Sequence, residues 1–568
     1  MAEKDPDKAA EPLDIAGGTA LGIAMHLPAD LSRTAKDSLA LSLARESSIL
    51  QSLGQFARGM SLDVTVDGMG PDQDHAFVAV PGQTFRVTAT ATSKVPWQGN
   101  TRFRLSGMPG DWKIRSIEEN SANGKAVAKF QVTVPDDVPY TRPYWHRANP
   151  EIDAINAIDD IDCKQCLTSP QPPYLGDWWR SLTLPFSTLP GLTATAYLGY
   201  EGGISSATWM VKYKDEQGNV VERPLAVVPQ FSVALEPGEQ VVPVNDGKEL
   251  TVRVGVRASS DGALAETLRL ELPAGWKSEP RELPVHLPKS ADKKDFVFKL
   301  SPTSLQEGRT EVRAILEAGG KKYAEGYTVV TREDLGAAYY YQPAVQRVSI
   351  VDVKVPKGLK VGYIMGAGDD IPTVLEQIGM NITMIPADKL ASEDLSKYQT
   401  IVLGIRAYDT QKDVIANNKR LLDFVENGGR LVVQYNTLGS FGVPIDFNSG
   451  KYTPYPATLS RARVSVEEAP VKILEPGNPI FHFPNEITQK DFDGWVQERG
   501  LYFMSQWDAN FTPLLESHDP GENEQKGGLL IAHYGKGTYI YTGYAFFRQL
   551  PAGVPGAVRL FVNLLSRE

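Results

Sequence analysis

The chain has 568 residues, of which 42% are hydrophobic and 22% are charged, the composition of an ordered globular protein. At about 150 residues per domain, a chain of this length is expected to form three or four domains. Lys and Arg number 58 and Asp and Glu 69, which gives a net charge of −11. Nucleic acid and anionic membranes need a concentrated basic surface, so we expect neither as the main partner.

Targeting signals are not evident in the sequence. No stretch approaches the roughly 18 uninterrupted apolar residues of a membrane helix, so no membrane span is predicted. The opening residues, MAEKDPDKAAEPLD, lack the apolar core of a signal peptide. We therefore expect this chain to carry no export signal, and the sequence leaves the compartment open.

The first 60 residues form the predicted lead-in. Residues 1–17 are polar, and we expect them to be disordered. Between Ser32 and Met60, Leu, Ala and Ile recur at spacings of three and four residues. This periodicity predicts one or two amphipathic helices. Residues 1–60 are therefore interpreted as a disordered start and a helical lead-in.

Short alternating runs broken by Gly, Pro, Asn and Asp follow the lead-in, a pattern typical of antiparallel β-sandwiches. We predict two immunoglobulin-like sandwich modules, at 61–228 and 229–332. The first includes an irregular, aromatic-rich segment with the only two cysteines, Cys163 and Cys166. Three interpretations of this C-K-Q-C stay open: a loop pair or local disulfide, part of a metal site, or a redox pair.

Strand-like and helical runs alternate over 345–568. LKVGYIMG, NITMIP, DLSKYQTIVLGI and RLVVQYN read as buried strands, with helical runs such as IPTVLEQIG and NNKRLLDFVENGG between them. Alternation across short loops predicts an open, mainly parallel, doubly wound α/β sheet. The chain then ends in a hairpin-like pair and a closing helix. The predicted fold class is thus multidomain β plus α/β.

Ligands of a doubly wound sheet bind at the carboxyl ends of its strands. Here the loops GAGDD, GIRAYDTQ and QYNTLGSFG follow the first, third and fourth strands. No G-x-G-x-x-G is completed, so a tight turn capped by Asp369 or Asp370 explains the glycines better than dinucleotide binding does. The polar side chains near these ends either bind a ligand or pack against covering loops. The candidate cleft consists of Asp369, Arg406, Tyr408, Asp409, Gln434, Asn436 and Arg548.

Catalytic motifs are lacking at these loops. A nucleophile elbow needs Ser or Cys on the strained turn after a strand, and neither GIRAYD nor QYNTLGS offers one flanked by Gly. The seven His residues form no H-x-x-x-H, H-x-H or H-E-x-x-H, and only a lone H-x-x-x-E runs from His482 to Glu486. We therefore assign no catalytic residue and no metal ligand.

Aromatic residues crowd two segments, and two interpretations of them stay open. Such rings either stack on sugars or fill the seams between domains, and seam packing is favoured. The residues are Tyr140, Tyr144, Trp145, Tyr174, Trp178 and Trp179 in one segment, and Trp495, Tyr502 and Trp507 in the other.

Long runs of the α/β part, including LKVGYIMGAGDDIPTVLEQIGMNIT, QTIVLGIRAYDTQKDVIANNKRLLDFVENGGRLVVQYN and YGKGTYIYTGYAFFRQLPAGVPGAVRLFVNLLS, are distinctive. Together with VPYTRPYW, ERPLAVVPQFSVALEP and LELPAGWKSEP, they resemble the C-terminal region of the long bacterial members of the PIG-L/LmbE family of zinc-dependent de-N-acetylases. The resemblance covers roughly residues 60–568. It implies a class I glutamine amidotransferase-like or ThuA-like α/β domain without its nucleophile. Relatives in this family are often periplasmic or extracellular.

The chain departs from this family in one respect that bears on function. The family's deacetylase hallmark is A-H-P-D-D, whereas no His-Pro-Asp occurs here and His518-Asp519-Pro520 has the wrong order. No catalytic residue carries over, and zinc would belong only to the deacetylase domain, which is absent from this chain. The leading hypothesis is a non-catalytic accessory or scaffold region of a PIG-L-type system, with a carbohydrate ligand and a deacetylase domain as possible partners. The alternative is a hydrolase that uses Asp369, Arg406, Asp409 and Arg548 on a sugar-related substrate.

Overall fold

The computed structural model describes most of the chain. The described residues are 6–94, 97, 101–108, 111–122, 124–143, 145–146, 157–158, 191–198, 203–244, 249–302, 305–332, 336–438 and 452–567. Cys163 and Cys166 lie outside them. Within these ranges, no helix is both long enough and apolar enough to cross a membrane.

The chain starts with a helical hairpin of α1 (Pro6–Met25) and α2 (Arg33–Ala57). Ser32 caps α2, because its hydroxyl accepts a hydrogen bond from the Ala35 N–H at 3.3 Å. Buried small residues spaced seven apart lie on each helix: Ala10, Gly17 and Ala24 on α1, and Ala40, Ser47 and Gly54 on α2. α1 begins at Pro6, so the predicted disorder over 1–17 is wrong for the described part. The prediction of disorder rested on polar composition, which does not reveal that small residues spaced seven apart on α1 pack against α2.

The first sandwich consists of two sheets that share one core. Its larger sheet has the order β11-β10-β1-β2-β5-β4, and its smaller sheet has the order β3-β8-β9. Val87 and Ala128 from the first sheet meet Phe103 and Ala194 from the second. The strands are β1 (Ser61–Gly70), β2 (Thr84–Thr92), β3 (Thr101–Met108), β4 (Lys113–Ala122), β5 (Lys125–Thr133), β8 (Gly191–Leu198), β9 (Gly203–Thr208), β10 (Met210–Lys214) and β11 (Val220–Pro224). The short strands β6 (Trp145–His146) and β7 (Ala157–Ile158) pair with each other in a separate two-stranded sheet.

The second sandwich also packs two sheets around one core. Their orders are β12-β14-β18-β16 and β13-β23-β19-β15-β17, and β21 and β22 form a separate two-stranded ribbon. The strands are β12 (Phe231–Glu236), β13 (Glu239–Pro243), β14 (Leu250–Ala258), β15 (Ala263–Glu271), β16 (Lys277–Glu279), β17 (Glu282–Leu287), β18 (Lys293–Ser301), β19 (Gly308–Ala318), β20 (Lys321–Tyr323), β21 (Glu325–Arg332), β22 (Gly336–Pro343) and β23 (Val345–Val351).

The remaining elements build the α/β part around a seven-stranded sheet. They are β24 (Lys360–Ile364), α3 (Ile371–Gln377), β25 (Asn381–Met384), β26 (Thr400–Leu403), α4 (Ala407–Thr410), α5 (Lys412–Ala416), α6 (Asn418–Glu426), β27 (Arg430–Gln434), β28 (Ala457–Val464), β29 (Val471–Ile473), β30 (Gly500–Trp507), β31 (Phe511–Pro513), β32 (Leu515–Ser517), β33 (Leu529–Tyr534), β34 (Gly537–Thr542), α7 (Phe546–Gln549) and α8 (Pro555–Leu565).

The seven-stranded sheet has the order β25-β24-β26-β27-β34-β33-β31. The first five of these strands are parallel, and β33 and β31 are antiparallel additions. One face packs against α3 and α8, and the other against α4, α5 and α6. From β24 the chain passes to β25 on one side and then to β26 on the other side of β24, so the loops after β24 and β26 lie at a topological switch point.

The prediction of a β-rich, multidomain chain with sandwich-like sheets is confirmed, but two details of it are wrong. The sandwiches are not purely antiparallel, because β1 pairs with β10 and β13 with β23 in parallel. Residues 345–351, which the predicted boundary at 345 assigns to the α/β domain, form β23 and pair with β13 and β19 of the second sandwich. β23 is nearly continuously buried because α8 contacts it. Its sequence therefore has the hydrophobic character of a buried strand of an α/β sheet.

Candidate functional site

The candidate site lies at the carboxyl edge of the parallel strands, where three loops meet. The Ala367 N–H donates to the Ile405 carbonyl at 2.8 Å, and the Arg406 N–H donates to the Tyr435 carbonyl at 2.8 Å. Gly366 permits the first contact, since a Cβ there would lie 2.0 Å from the Ile405 oxygen. The loops after β24, β26 and β27 therefore form one continuous surface at the switch point.

A hydrogen-bonded chain of side chains runs across this edge from β24 to β27. The Tyr363 hydroxyl donates to Asp369 Oδ1 at 2.7 Å and accepts a hydrogen bond from Gln434 Nε2 at 2.9 Å. The Ile371 N–H also donates to Asp369 Oδ1, at 3.2 Å. Burial raises the pKa of the Asp369 carboxyl, and the Tyr363 hydrogen bond opposes this shift only in part.

A second group is built around Asp409 at the start of α4. Arg406 adopts a left-handed conformation with φ of 56°, and its Nε donates to Asp409 Oδ2 at 3.2 Å. The Thr437 N–H donates to the same oxygen at 2.9 Å. The Asp409 side chain is 0% exposed, whereas 34% of the Arg406 side chain is exposed. The guanidinium thus lies at the surface above a buried carboxylate.

Two predicted residues hold this edge together from inside. The Tyr408 N–H donates to Asn436 Oδ1 at 3.0 Å, and the Tyr408 hydroxyl donates to Asn418 Oδ1 at 2.5 Å. Asn436 Nδ2 in turn donates to the Gln434 carbonyl at 3.0 Å. Both side chains are fully buried and bonded within the protein, so their direct contact with a ligand stays a prediction.

Arg548 lies apart from the two groups, on α7. Its Nε donates to Glu498 Oε1 at 3.0 Å, and it also donates to Gln497. The neighbouring Phe547 ring contacts Tyr435 with centroids 5.5 Å apart. Burial raises the pKa of Tyr435, and the positive charges of Arg548 and Arg406 oppose this shift. Tyr435 therefore connects Arg548 to the rest of the candidate site.

Four buried oxygens at this edge have no hydrogen-bond partner in the part of the chain that the structure describes: Asp369 Oδ2, Asp409 Oδ1, Gln434 Oε1 and Thr437 Oγ1. Three of them are acceptors only, and buried polar atoms are normally satisfied. Tyr363 and Thr437 were not among the predicted site residues. Thr437 directly follows Asn436 at a strand end, so the rule that ligands bind at the carboxyl ends of strands could have identified it. Tyr363 lies within a strand, where the sequence pattern indicates a core residue.

No described group of three or more His, Cys, Asp and Glu side chains is arranged to hold a metal ion. The lone H-x-x-x-E is an exposed pair in which His482 Nδ1 lies 2.7 Å from Glu486 Oε1. Its other ring nitrogen lies 2.6 Å from the Pro476 carbonyl. Both nitrogens are thereby engaged within the protein.

Described members of both aromatic clusters contact other aromatic rings of the protein. Tyr140 stacks on Tyr341 of β22, with centroids 6.3 Å apart and planes 6° apart. Trp495 is buried against Phe492 and Tyr544. The contact between Tyr140 and Tyr341 agrees with the favoured seam-packing interpretation, whereas Trp495 packs within the α/β part. Tyr502 and Trp507 are half-buried. Of the first cluster, the side chains of Tyr144 and Trp145 and the residues Tyr174, Trp178 and Trp179 lie outside the described part.

Comparisons with known proteins give no close match. No protein-family model and no curated protein matches the chain. One solved structure that resembles it is Salmonella alpha-2-macroglobulin reacted with methylamine, with a TM-score of 0.16 and 10% identity over 51% of this chain and 16% of that one. Another is the N-terminal eight Ig domains of Down syndrome cell adhesion molecule isoform 1.30.30, with a TM-score of 0.11 and 9% identity over 54% of this chain and 39% of that one. The chain thus spans less than half of either structure, and likenesses this weak support no conclusion about function.

Proposed function

We propose that this chain is a non-catalytic, carbohydrate-binding accessory protein of a PIG-L/LmbE-type deacetylase system. Its α/β part would be an amidotransferase-like or ThuA-like domain that binds instead of reacting. The observation that carries the proposal is the set of buried, unpartnered acceptor oxygens of Asp369, Asp409 and Gln434 at the switch point of the parallel sheet.

The chemistry of these atoms selects the class of ligand. Carboxylate and amide oxygens accept hydrogen bonds, so their complement is a ligand rich in hydroxyl or amine donors. A sugar supplies several such donors on one rigid ring, and an amino sugar adds a cationic donor. The partly exposed Arg406 guanidinium would donate hydrogen bonds to the ring and carbonyl oxygens of such a sugar. The half-buried Tyr502, which packs on the buried Tyr435 ring with centroids 5.5 Å apart, adds an apolar surface beside the polar edge.

Binding to immobilised glycans, followed by calorimetry with chitin and chitosan oligosaccharides, tests the proposal. The substitution Asp409→Asn keeps an oxygen for the Thr437 N–H but removes the charge, so we expect about tenfold weaker binding. Asp388→Asn, which changes an exposed carboxylate of the same domain, is the matched control and should bind like the unaltered chain. No retention on any polysaccharide or amino-sugar polymer would contradict the proposal.

A hydrolase acting through the same edge is the second candidate, and one observation favours it. Burial raises the pKa of Asp369, which is the direction that suits a general acid. A panel of esters, amides and glycosides tests this candidate. Turnover that disappears in Asp369→Asn and persists in Asp388→Asn would favour catalysis over binding alone.

A further inference from the structure

A buried arginine that has no carboxylate partner among the described residues lies between the first sandwich and the β21–β22 ribbon. Arg223 of β11 is 4% exposed. Its Nη2 donates to the Ala76 carbonyl at 3.4 Å, while its Nε and Nη1 have no acceptor within the described ranges. Burying a charged group is costly unless it is paired, so this arrangement requires an explanation.

The aromatic rings next to Arg223 compensate only part of the cost of burying its charge. Its guanidinium carbon lies 5.6 Å from the Tyr213 ring centroid and 5.8 Å from that of Tyr339. Ring faces attract the positive charge, but the N–H groups lie in the guanidinium plane and still need acceptors. The Tyr339 hydroxyl is also buried and unpartnered. Burial raises the pKa of Tyr339 to about 12, so this hydroxyl remains a donor at neutral pH.

The local charge is positive. Arg257 lies 4.3 Å from the Tyr327 ring centroid, and Tyr327 lies 5.8 Å from Tyr339, so a second cation flanks the same ring pair. The nearby carboxylates are paired elsewhere, since Glu222 binds Lys212 at 3.0 Å and Glu325 binds Arg142 at 2.7 Å. Unpartnered donors and uncompensated positive charge therefore coincide at this seam.

We propose that this seam binds a small monovalent anion of the halide class between the Arg223 guanidinium and the Tyr339 hydroxyl. The Nε–H and Nη1–H groups point in different directions from the planar guanidinium, so one of them and the Tyr339 O–H would donate to the anion, whose charge would neutralise Arg223. The anion would link β11 of the first sandwich to β22 and so fix the ribbon against that sandwich. This inference is independent of the proposed carbohydrate site.

Crystals of the full chain grown in chloride-free buffer and soaked in sodium bromide test the site directly, because bromide scatters anomalously. We expect an anomalous peak within hydrogen-bond distance of Arg223 Nε or Nη1 and of the Tyr339 hydroxyl. A water molecule at this position, or bromide at exposed sites only, would overturn the proposal.

Bromide-dependent stability tests the site in solution. The midpoint of thermal unfolding should rise and saturate with added bromide, relative to the same ionic strength of bulky isethionate. Tyr339→Phe removes one donor and keeps the ring, so the half-saturating bromide concentration should rise roughly tenfold. Arg223→Met should abolish the specific effect.

The matched control in solution is Arg257→Met. Arg257 stacks on Tyr327 of the same seam, but its Nη2 already donates to the Tyr327 carbonyl at 3.1 Å. This variant loses a nearby positive charge but no donor to the anion, so its half-saturating bromide concentration should rise less than that of Tyr339→Phe. Equal bromide dependence in the unaltered chain, Tyr339→Phe and Arg257→Met would contradict an anion held by Tyr339.

Discussion

Gly404 lies where the side chains of the candidate site approach one backbone position. A Cβ at this residue would lie 2.9 Å from Asp369 Oδ2 and 3.2 Å from Tyr363 Cε1. The absence of a side chain at the end of β26 is therefore what lets Tyr363 reach from β24 toward Gln434 of β27. The polar chain across the edge depends on this one glycine.

Gly404→Ala should therefore destabilise the fold and weaken glycan binding. Overpacking at such a position costs about 1–3 kcal/mol. Urea unfolding gives the change in the free energy of unfolding. Gly477→Ala is the control, because nothing lies within 4 Å of its added Cβ. Equal stability of the two variants would show that Tyr363 and Asp369 are not packed against Gly404.

Asp369 should make stability depend on pH with a defined sign. Its pKa in the folded chain is raised above its ordinary value of 3.8, so the folded state binds the proton more tightly than the unfolded state does. The resulting stabilisation is present at low pH and is lost as pH rises through the folded pKa. Asp369→Asn removes this ionisation and should gain stability relative to the unaltered chain as pH rises from about 4 to 7.

Urea unfolding of both proteins across this pH range checks the sign for Asp369. A stability difference that does not change with pH would contradict a raised pKa. Asp388→Asn, at an exposed position, controls for the general effect of losing one negative charge.

At the scale of elements, the helical hairpin illustrates close packing that composition does not reveal. A Cβ on Gly17 would lie 3.2 Å from both Gln51 Cγ and the Ser47 carbonyl oxygen, whereas one on the adjacent Gly18 would meet nothing within 4 Å. Two neighbouring glycines of α1 thus have opposite environments. The seam between α1 and α2 tolerates only small residues at Gly17.

Gly17→Leu should separate α1 from α2, while Gly18→Leu should leave their contact intact. Hydrogen–deuterium exchange measures this as faster amide exchange in α1 and the second half of α2 for Gly17→Leu alone. Exchange in β24–β27 should not change in either variant. Identical exchange in the two variants would contradict the packing described for this seam.

Elements of the α/β part are the ones that sequence patterns predicted best. LKVGYIMG, RLVVQYN and the closing helical run correspond to β24, β27 and α8, because buried strands between short loops and amphipathic helices leave clear patterns. The strands β28–β32 were not predicted, since β29, β31 and β32 have only three residues each and the pairing of β28 with β30 is interrupted by register shifts. The parallel pairs β1–β10 and β13–β23 join segments far apart in sequence, and no local pattern encodes such a pairing.

The position of the candidate site could also be predicted from the sequence, because the ends of the buried strands are clear in the pattern. Strand-end logic brought Asp369, Arg406, Asp409 and Gln434 to one edge, where the structure also places them. It could not distinguish exposed from internal side chains. Tyr408, Asn436, Gln434 and the Asp409 side chain were all predicted as cleft residues, and all of them are buried in the structure.

At the scale of the whole molecule, Arg559 joins the second sandwich to the α/β part. Its Nε donates to Asp491 Oδ1 at 2.7 Å, and its Nη1 donates to Glu307 Oε2 at 2.6 Å. The Asp491 side chain is 4% exposed, so its charge depends on this arginine for compensation. Removal of the arginine leaves a buried carboxylate without its ion-pair partner.

Arg559→Met should lower the free energy of unfolding by about 3–5 kcal/mol, the usual loss when one partner of a buried pair is removed. Lys490→Met, at an exposed position nearby, should change it by less than about 0.5 kcal/mol. Urea unfolding followed by tryptophan fluorescence measures both. Equal stability of the two variants would mean that Arg559 does not compensate the Asp491 charge.

The central claim, that the sheet edge at the switch point binds a hydroxyl-rich ligand, is tested most directly by mapping where an amino-sugar oligomer protects the chain. Hydrogen–deuterium exchange with and without chitosan hexasaccharide gives this map. We expect slower exchange in residues 365–370 and 404–410, and loss of that protection in Asp409→Asn. Protection confined to the sandwiches, or unchanged in Asp409→Asn, would contradict the account.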